Sequence, residues 1–67
     1  MKWIMTSDKL PKDMQEVLSY TIEDQLLEHG HYDKDLNLFC AIKSEHPDNV
    51  LFWGAIPKYE NIVKDFI

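Results

Sequence analysis

The 67-residue sequence contains no arginine, and its seven basic residues are all lysine. Proteins that bind nucleic acid usually present a basic face and use arginine for bidentate contacts to phosphate or guanine. This chain instead carries twelve acidic residues and a net charge of -5. The missing arginine and the negative charge together argue against DNA, RNA or an anionic membrane surface as a partner.

Cysteine and long apolar runs are also scarce. A small secreted domain usually has an even set of paired cysteines, so the lone Cys40 favours a cytosolic protein. The longest apolar stretch, residues 50–56, is far shorter than the roughly 20 residues that span a bilayer. The first residues lack the apolar core of a signal peptide. We therefore expect a cytoplasmic protein with no membrane partner.

Motifs that carry chemistry are missing as well. The sequence has no glycine-rich phosphate loop, no serine elbow and no carboxylate pair in a catalytic arrangement. Cys40 lies in an apolar run, where a thiol packs as a small hydrophobic group rather than acting as a nucleophile. A chain this short also has little material for the walls of a pocket. We predict that the protein is not an enzyme and uses no cofactor.

The composition itself is that of a folded protein. Apolar residues make up 45% of the chain and charged residues 28%, whereas a disordered chain would have fewer apolar residues and a larger charge excess. A chain of this length has room for one core only. We predict a single domain over residues 1–67, with an extended arm and loop over 1–15 and an antiparallel sheet over 16–56.

Four segments have the pattern of strands: 17–22, 26–32, 38–43 and 50–55. Leu18, Tyr20 and Ile22 alternate with Ser19 and Thr21 in the first of them, which is typical of a half-buried strand. The last two segments are apolar on both sides, as in strands that are covered on both faces.

The segment from Thr21 to His31 has two interpretations. It can form a hairpin that turns at residues 23–25. It can equally form a short helix with Thr21 as N-cap and Gly30 as its stop. Periodicity alone does not separate the two for so short a segment, so residues 22–29 are left as strand or helix.

The C-terminal residues have helical spacing. Tyr59, Ile62, Val63, Phe66 and Ile67 recur at the spacing of one helix face. We predict an amphipathic helix over residues 58–67 that covers one side of the sheet. The predicted fold class is therefore α+β, with about four antiparallel strands and one C-terminal helix packed on one face.

The order of landmarks along the chain resembles domain-of-unknown-function family 551, a group of small phage and prophage proteins. The landmarks are Trp3-Ile4, Asp8, Leu10-Pro11, Val17-Leu18 with Tyr20, Gly30 with Tyr32, Phe39, Val50, Trp53 and Ile56-Pro57. The sequence departs from the family pattern at residues 23–25, at residues 51–52 and in the tail from residue 58 onward. The resemblance implies a β-hairpin in the middle segment, a phage or prophage origin and a bacterial cytosolic setting, and it implies no catalytic residue.

One cluster has residue types that bind metals. His29, His31 and Asp33 alternate along a predicted strand and would project to one face. With Cys40 or His46 they could bind zinc, although this spacing matches no recognised zinc motif. We predict no metal site and interpret the cluster as a solvent-facing side of an edge strand, keeping His29, His31 and Cys40 as the ligands to test.

The aromatic residues are candidates for a partner surface. Strands that are apolar on both sides leave more apolar surface than one helix and one arm can cover, which favours a homodimer, a higher homo-oligomer or a docking face. The predicted partner-binding residues are Trp53, Phe39, Phe52, Tyr32 and Trp3, and the predicted acidic rim is Glu23, Asp24, Asp33 and Asp35. Trp53 is either the anchor of that surface or a core residue.

These observations predict a non-enzymatic accessory protein that binds a host macromolecule, a host protein above all, and thereby inhibits a bacterial defence or redirects a host process. Two alternatives stay open. One is an oligomeric sponge for a nucleotide signal, and the other is a small structural domain with no ligand.

Overall fold

The computed structural model describes residues 2–56, which form one six-stranded antiparallel sheet and a short 3-10 helix. The elements are β1 (Trp3–Met5), β2 (Glu16–Thr21), β3 (Leu26–Asp33), β4 (Leu38–Cys40), β5 (Ser44–Glu45), the 3-10 helix (Pro47–Asn49) and β6 (Val50–Ala55).

The last strand lies between the first two. The order of strands across the sheet is β1-β6-β2-β3-β4-β5. Trp53 of β6 lies opposite Ile4 of β1 on one side and Ser19 of β2 on the other. A β-bulge at Leu51 shifts the β2–β6 register after Tyr20. β6 therefore has a strand along each of its edges, although within residues 2–56 only one of its two faces is covered by other parts of the chain.

Strands β2 and β3 form a hairpin. This is the first of the two interpretations that the sequence allowed for this segment, and the helix is not formed. Their register runs from Thr21↔Leu26 to Glu16↔His31. Gln25 takes the left-handed conformation, with φ at 56°, and its N–H donates to the carbonyl of Thr21 at 2.9 Å. A residue with positive φ is a regular part of hairpin turns, although glycine or asparagine is more usual there. The hairpin prediction for this segment is confirmed.

The core lies on one face of the sheet. Its buried apolar residues within the described range are Val17, Tyr32, Phe39, Val50 and Trp53, with Ile4 packed against them. Residues 6–15 cross this face as a long loop. The indole N–H of Trp53 donates to the carbonyl of Lys9 at 2.8 Å, and Pro11 in the same loop is buried. The loop therefore closes the core and also satisfies the polar group of its largest side chain.

A close backbone crossing closes the other end of the core. Gly30 of β3 lies directly under the chain at Cys40 and Ala41, because an added Cβ would overlap the Cys40 carbonyl and come within 2.9 Å of the Ala41 Cα. Only glycine allows this approach. After the crossing the chain turns back, and the short β5 pairs with β4.

The predicted α+β class is wrong for the described residues, which form an almost all-β structure with six strands instead of four. The predicted N-terminal arm contributes β1, because Trp3–Met5 pairs with an edge of β6. The predicted strand over 38–43 ends at Cys40, where the chain crosses Gly30, and pairing resumes only at Ser44. The predicted helix over 58–67 lies outside the described residues.

Candidate binding surface

The two faces of the sheet follow from strand alternation. On the core face lie the buried side chains of Val17 and Ser19 in β2 and of Val50 and Trp53 in β6. The neighbours of these residues in sequence point to the opposite face. We call the apolar part of that opposite face the aromatic face; it consists of Trp3, Met5, Leu18, Tyr20, Leu27 and Phe52.

Register places these side chains in two adjoining rows. Met5, Phe52, Tyr20 and Leu27 lie side by side on β1, β6, β2 and β3, in that order. Trp3 lies one row further along β1, opposite Gly54, which carries no side chain. The aromatic face is therefore continuous across four strands.

Ring contacts hold the centre of the aromatic face in a defined arrangement. Tyr20 and Phe52 stack with ring centroids 4.9 Å apart and planes 3° from parallel. Trp3 meets Phe52 edge to face, with centroids 5.1 Å apart and planes at 75°. Aromatic pairs with these geometries contribute about 0.5–1.5 kcal/mol beyond the burial of their area. The surface is thus preorganised by contacts among its own residues.

The side chains around this centre stay open to solvent. Trp3 is 45% exposed, Met5 44% and Leu27 52%. Together with Phe52 they line a shallow groove of about 320 Å³. Burial of a fully exposed side chain of this size contributes roughly 1.5–3 kcal/mol, so covering these half-exposed side chains would contribute roughly half as much each. The aromatic face can therefore gain free energy by binding an apolar surface.

The structure divides the five predicted partner-binding residues between the two faces. Trp53, Phe39 and Tyr32 are 2–3% exposed and belong to the core. Phe39 contacts Tyr32 with ring centroids 5.1 Å apart, and the Tyr32 hydroxyl donates to Asn37 Oδ1 at 2.6 Å. These three cannot reach a partner while the domain is folded. Trp3 and Phe52 remain as surface candidates.

The predicted acidic rim is divided into two separate parts. Glu23 and Asp24 lie in the β2–β3 turn, beyond Leu27, whereas Asp33 and Asp35 lie at the far end of β3. Asp24 is 3.5 Å from Lys43 Nζ, and Asp33 Oδ1 accepts a hydrogen bond from Leu36 N–H at 3.1 Å. The acidic groups therefore flank the aromatic face at opposite ends of β3 and do not form one cluster.

The candidate metal ligands share a face but do not form a site. His29 and His31 alternate on β3, and Cys40 lies opposite His31 on β4. His29 is 3.7 Å from Glu16, and both side chains are more than half exposed. Among residues 2–56 there is no group of three or more histidine, cysteine or carboxylate side chains close enough to hold a metal ion.

Four residues of the aromatic face were absent from the predicted set. The sequence places Met5 in the predicted arm, and it places Leu18 and Tyr20 on one side of a strand without indicating a partner surface. Leu27 fell in the segment left open between strand and helix. The alternation in β2 does group Leu18 with Tyr20, but only the pairing of β6 between β1 and β2 brings Met5, Phe52 and Leu27 beside them.

A second depression lies at the end of the sheet near the 3-10 helix. It has a volume of about 520 Å³, and its apolar lining includes Leu10, Ile22 and Leu51. The hydroxyl of Thr6 borders it and is buried without a hydrogen-bond partner in the structure. It lacks the stacked rings that organise the aromatic face.

Comparison with family models, with curated proteins and with solved structures found no match. The resemblance to the phage and prophage family therefore remains a prediction from the sequence. The described residues include no helix with the length and apolar character needed to cross a bilayer.

Proposed function

We propose that this is a non-enzymatic accessory protein of phage or prophage origin that binds a host protein stoichiometrically through the aromatic face. It acts in the bacterial cytoplasm, where binding inhibits a defence or redirects a host process. The sequence resemblance supports the proposed origin and setting, and the geometry of the aromatic face supports its choice as the binding surface.

The observation that carries the proposal is the contrast between organisation and exposure on the aromatic face. Tyr20 and Phe52 are stacked within 4.9 Å, whereas Trp3, Met5 and Leu27 beside them are about half exposed. A contiguous apolar patch on a small protein is often an interaction surface, even at the size of a few hundred Å² that is usual on monomers. Aromatic residues with fixed orientation also suit a partner-binding anchor, because little side-chain entropy is lost on association.

Charge indicates which kind of partner the face prefers. The aromatic face contains no charged side chain, and carboxylates lie beyond it at both ends of β3. Such an arrangement attracts a partner with an apolar centre and lysine or arginine around it. Association with a basic partner should slow as salt increases, since exposed charges are screened over about 8–10 Å at 0.1–0.15 M salt.

The test is capture from host lysate with a matched pair of variants. Leu27→Lys adds a charge to the aromatic face, and Ile42→Lys adds the same charge in the β4–β5 turn, where Ile42 is 92% exposed. We expect Leu27→Lys to lose the captured protein and Ile42→Lys to retain it. The purified partner should then bind the wild-type chain in a fixed stoichiometric ratio, with an association rate that falls with salt.

Three results would contradict the proposal. Equal capture by both variants would remove the aromatic face from the interaction. Sedimentation of the wild-type chain as a stable dimer that Leu27→Lys dissociates would assign the face to a second copy of the chain. Turnover of any substrate by the purified protein would show that it is an enzyme.

A further inference from the structure

The two edges of the sheet differ in how well they are protected. Strand β5 has only two residues, carries Glu45 and leads through His46 into Pro47, and a short strand with a charge and a nearby proline resists further pairing. Strand β1 consists of Trp3, Ile4 and Met5, with no charge, proline or bulge. Within residues 2–56 nothing pairs with its outer side.

The hydrogen bonds around β1 show which backbone groups face outward. Thr6 N–H donates to the Leu51 carbonyl of β6 at 3.1 Å. Backbone groups alternate sides along a strand, so Ile4 also faces β6, and Trp3 and Met5 face away from it. The hydrogen bonds of the Met5 carbonyl are consistent with this outward direction. It accepts from the N–H groups of Asp8 and Lys9 in the following turn, at 2.9 and 3.2 Å, and not from β6.

Three outward groups of β1 therefore have no backbone partner in the described part of the chain: the N–H and carbonyl of Trp3, and the N–H of Met5. The side chains of these two residues line the groove of the aromatic face with Leu27 and Phe52. A strand added outside β1 would place every second side chain on that face, beside Trp3 and Met5. Open backbone groups next to an apolar groove are the two elements of peptide recognition by strand addition.

The size of the aromatic face selects among possible occupants. The aromatic face has six side chains, and three of them are about half exposed. Their exposed apolar area is on the order of a few hundred Å². A stable interface between two globular proteins buries about 800 Å² on each partner. A second copy of this chain packed on the aromatic face alone would fall short of that area, whereas one extended segment needs less and gains hydrogen bonds from β1.

We propose that β1 and the aromatic face together bind one extended segment of a partner protein, which joins the sheet antiparallel to β1 and turns alternate apolar side chains toward the aromatic face. This inference rests on the proposed function and specifies how the partner is held. In antiparallel pairing, a residue opposite Trp3 has its side chain on the same face as Trp3 and its N–H directed at the Trp3 carbonyl.

The test uses the full-length ¹⁵N-labelled protein and a capped seven-residue peptide that alternates valine with lysine. Two derivatives carry N-methyl groups, either on every valine or on every lysine. We expect the parent peptide to shift the amide signals of Trp3 and Met5. The derivative methylated on lysine should bind similarly, and the derivative methylated on valine should bind at least tenfold more weakly, because the valine N–H groups face β1.

A pair of proline variants checks the edge from the side of the protein. Met5→Pro removes an outward N–H together with a side chain of the groove and leaves the β1–β6 bonds in place, whereas Met5→Ala removes the side chain alone. Met5→Pro should therefore weaken peptide binding several-fold more than Met5→Ala does. Ile4→Pro removes an N–H that faces β6 and should disrupt β1 itself. Peptide binding that Met5→Pro leaves unchanged would overturn the proposal.

Other results would also overturn strand addition. One is that the amide signals of Trp3 and Met5 do not shift at millimolar peptide. Another is that the two methylated derivatives bind equally well. Amides of Trp3 and Met5 that are already protected from exchange in the free protein would show another occupant: a second copy if protection rises with concentration, and residues 57–67 if it does not.

The two proposals can fail separately. Failure of peptide pairing while Leu27→Lys still abolishes host-protein capture would remove strand addition and leave the proposed function. Peptide pairing at β1 with no host protein captured would leave strand addition and remove the proposed function.

Discussion

The two faces of the sheet carry similar residue types but differ in their exposure to solvent. Trp53 on the core face is 2% exposed and its indole N–H is bonded to Lys9, whereas Trp3 on the aromatic face is 45% exposed. The core face is covered by residues 6–15 and by the crossing at Gly30. Nothing among residues 2–56 covers the aromatic face. The comparison shows that coverage by loops, more than residue type, decides which tryptophan is buried in the core and which stays exposed.

The largest expected effect comes from making the same substitution on both faces. Trp53→Ala removes a buried side chain and leaves the Lys9 carbonyl without its donor, so it should lower the free energy of unfolding by about 3–5 kcal/mol. Trp3→Ala removes a half-exposed side chain and should cost about 1 kcal/mol. Urea unfolding of the two variants measures both values. Equal losses in the free energy of unfolding would mean that Trp3 and Trp53 stabilise the fold equally and that the two faces do not differ in coverage.

A second variant tests how the core face is closed. Gly30→Ala places a Cβ against the Cys40 carbonyl and the Ala41 backbone, so the crossing strand must move. We expect a loss of about 1–3 kcal/mol, the usual cost of overpacking. Amide shifts in an NMR spectrum should be concentrated at Cys40 and Ala41. Wild-type stability in this variant would show that the crossing is looser than the structure indicates.

Asn49 links the β2–β3 turn to β5 at the margin of the core face. Its Oδ1 accepts from Glu23 N–H at 3.1 Å, and its Nδ2 donates to Glu45 at 2.7 Å. Asn49→Ala should cost about 1–2 kcal/mol in thermal unfolding. Asn49→Asp keeps the acceptor but brings a carboxylate to Glu45, so it should be at least as destabilising. If Asn49→Asp is neutral, the bond to Glu45 does not contribute to stability.

On the aromatic face, charge should affect binding far more than stability. Leu27→Lys and Ile42→Lys both change exposed side chains, and each should alter the free energy of unfolding by no more than about 0.5 kcal/mol. The same denaturation experiment measures both variants. A loss above 2 kcal/mol in Leu27→Lys alone would indicate that Leu27 is covered in solution.

The smallest expected effect concerns metal. His29, His31 and Cys40 share the side of the sheet that carries the aromatic face, so a chelator tests whether that side has a second role. We expect the midpoint of thermal unfolding to be unchanged when a chelator is added, because structural zinc needs a closed set of ligands. A decrease of several degrees would assign these residues to a metal site.

Part of the fold was predictable from local pattern. The alternation of Leu18 and Tyr20 with Ser19 identified β2, and the apolar run at 50–55 identified β6. The exposure of the aromatic residues was predicted less well, because three of the five candidates for a partner surface, Trp53, Phe39 and Tyr32, are buried. Aromatic residues serve equally in cores and at interfaces, so their identity does not show which face they occupy.

By itself, the sequence determined that this is a small acidic folded chain whose middle consists of strands, since composition and alternation are local properties. Only the tertiary structure decided that β6 lies between β1 and β2, that Met5, Phe52, Tyr20 and Leu27 form one row, and that residues 6–15 cover one face. The physical reason is that strand order and loop coverage depend on contacts between residues far apart in the chain. Alternation assigns side chains to two faces without showing which face is covered.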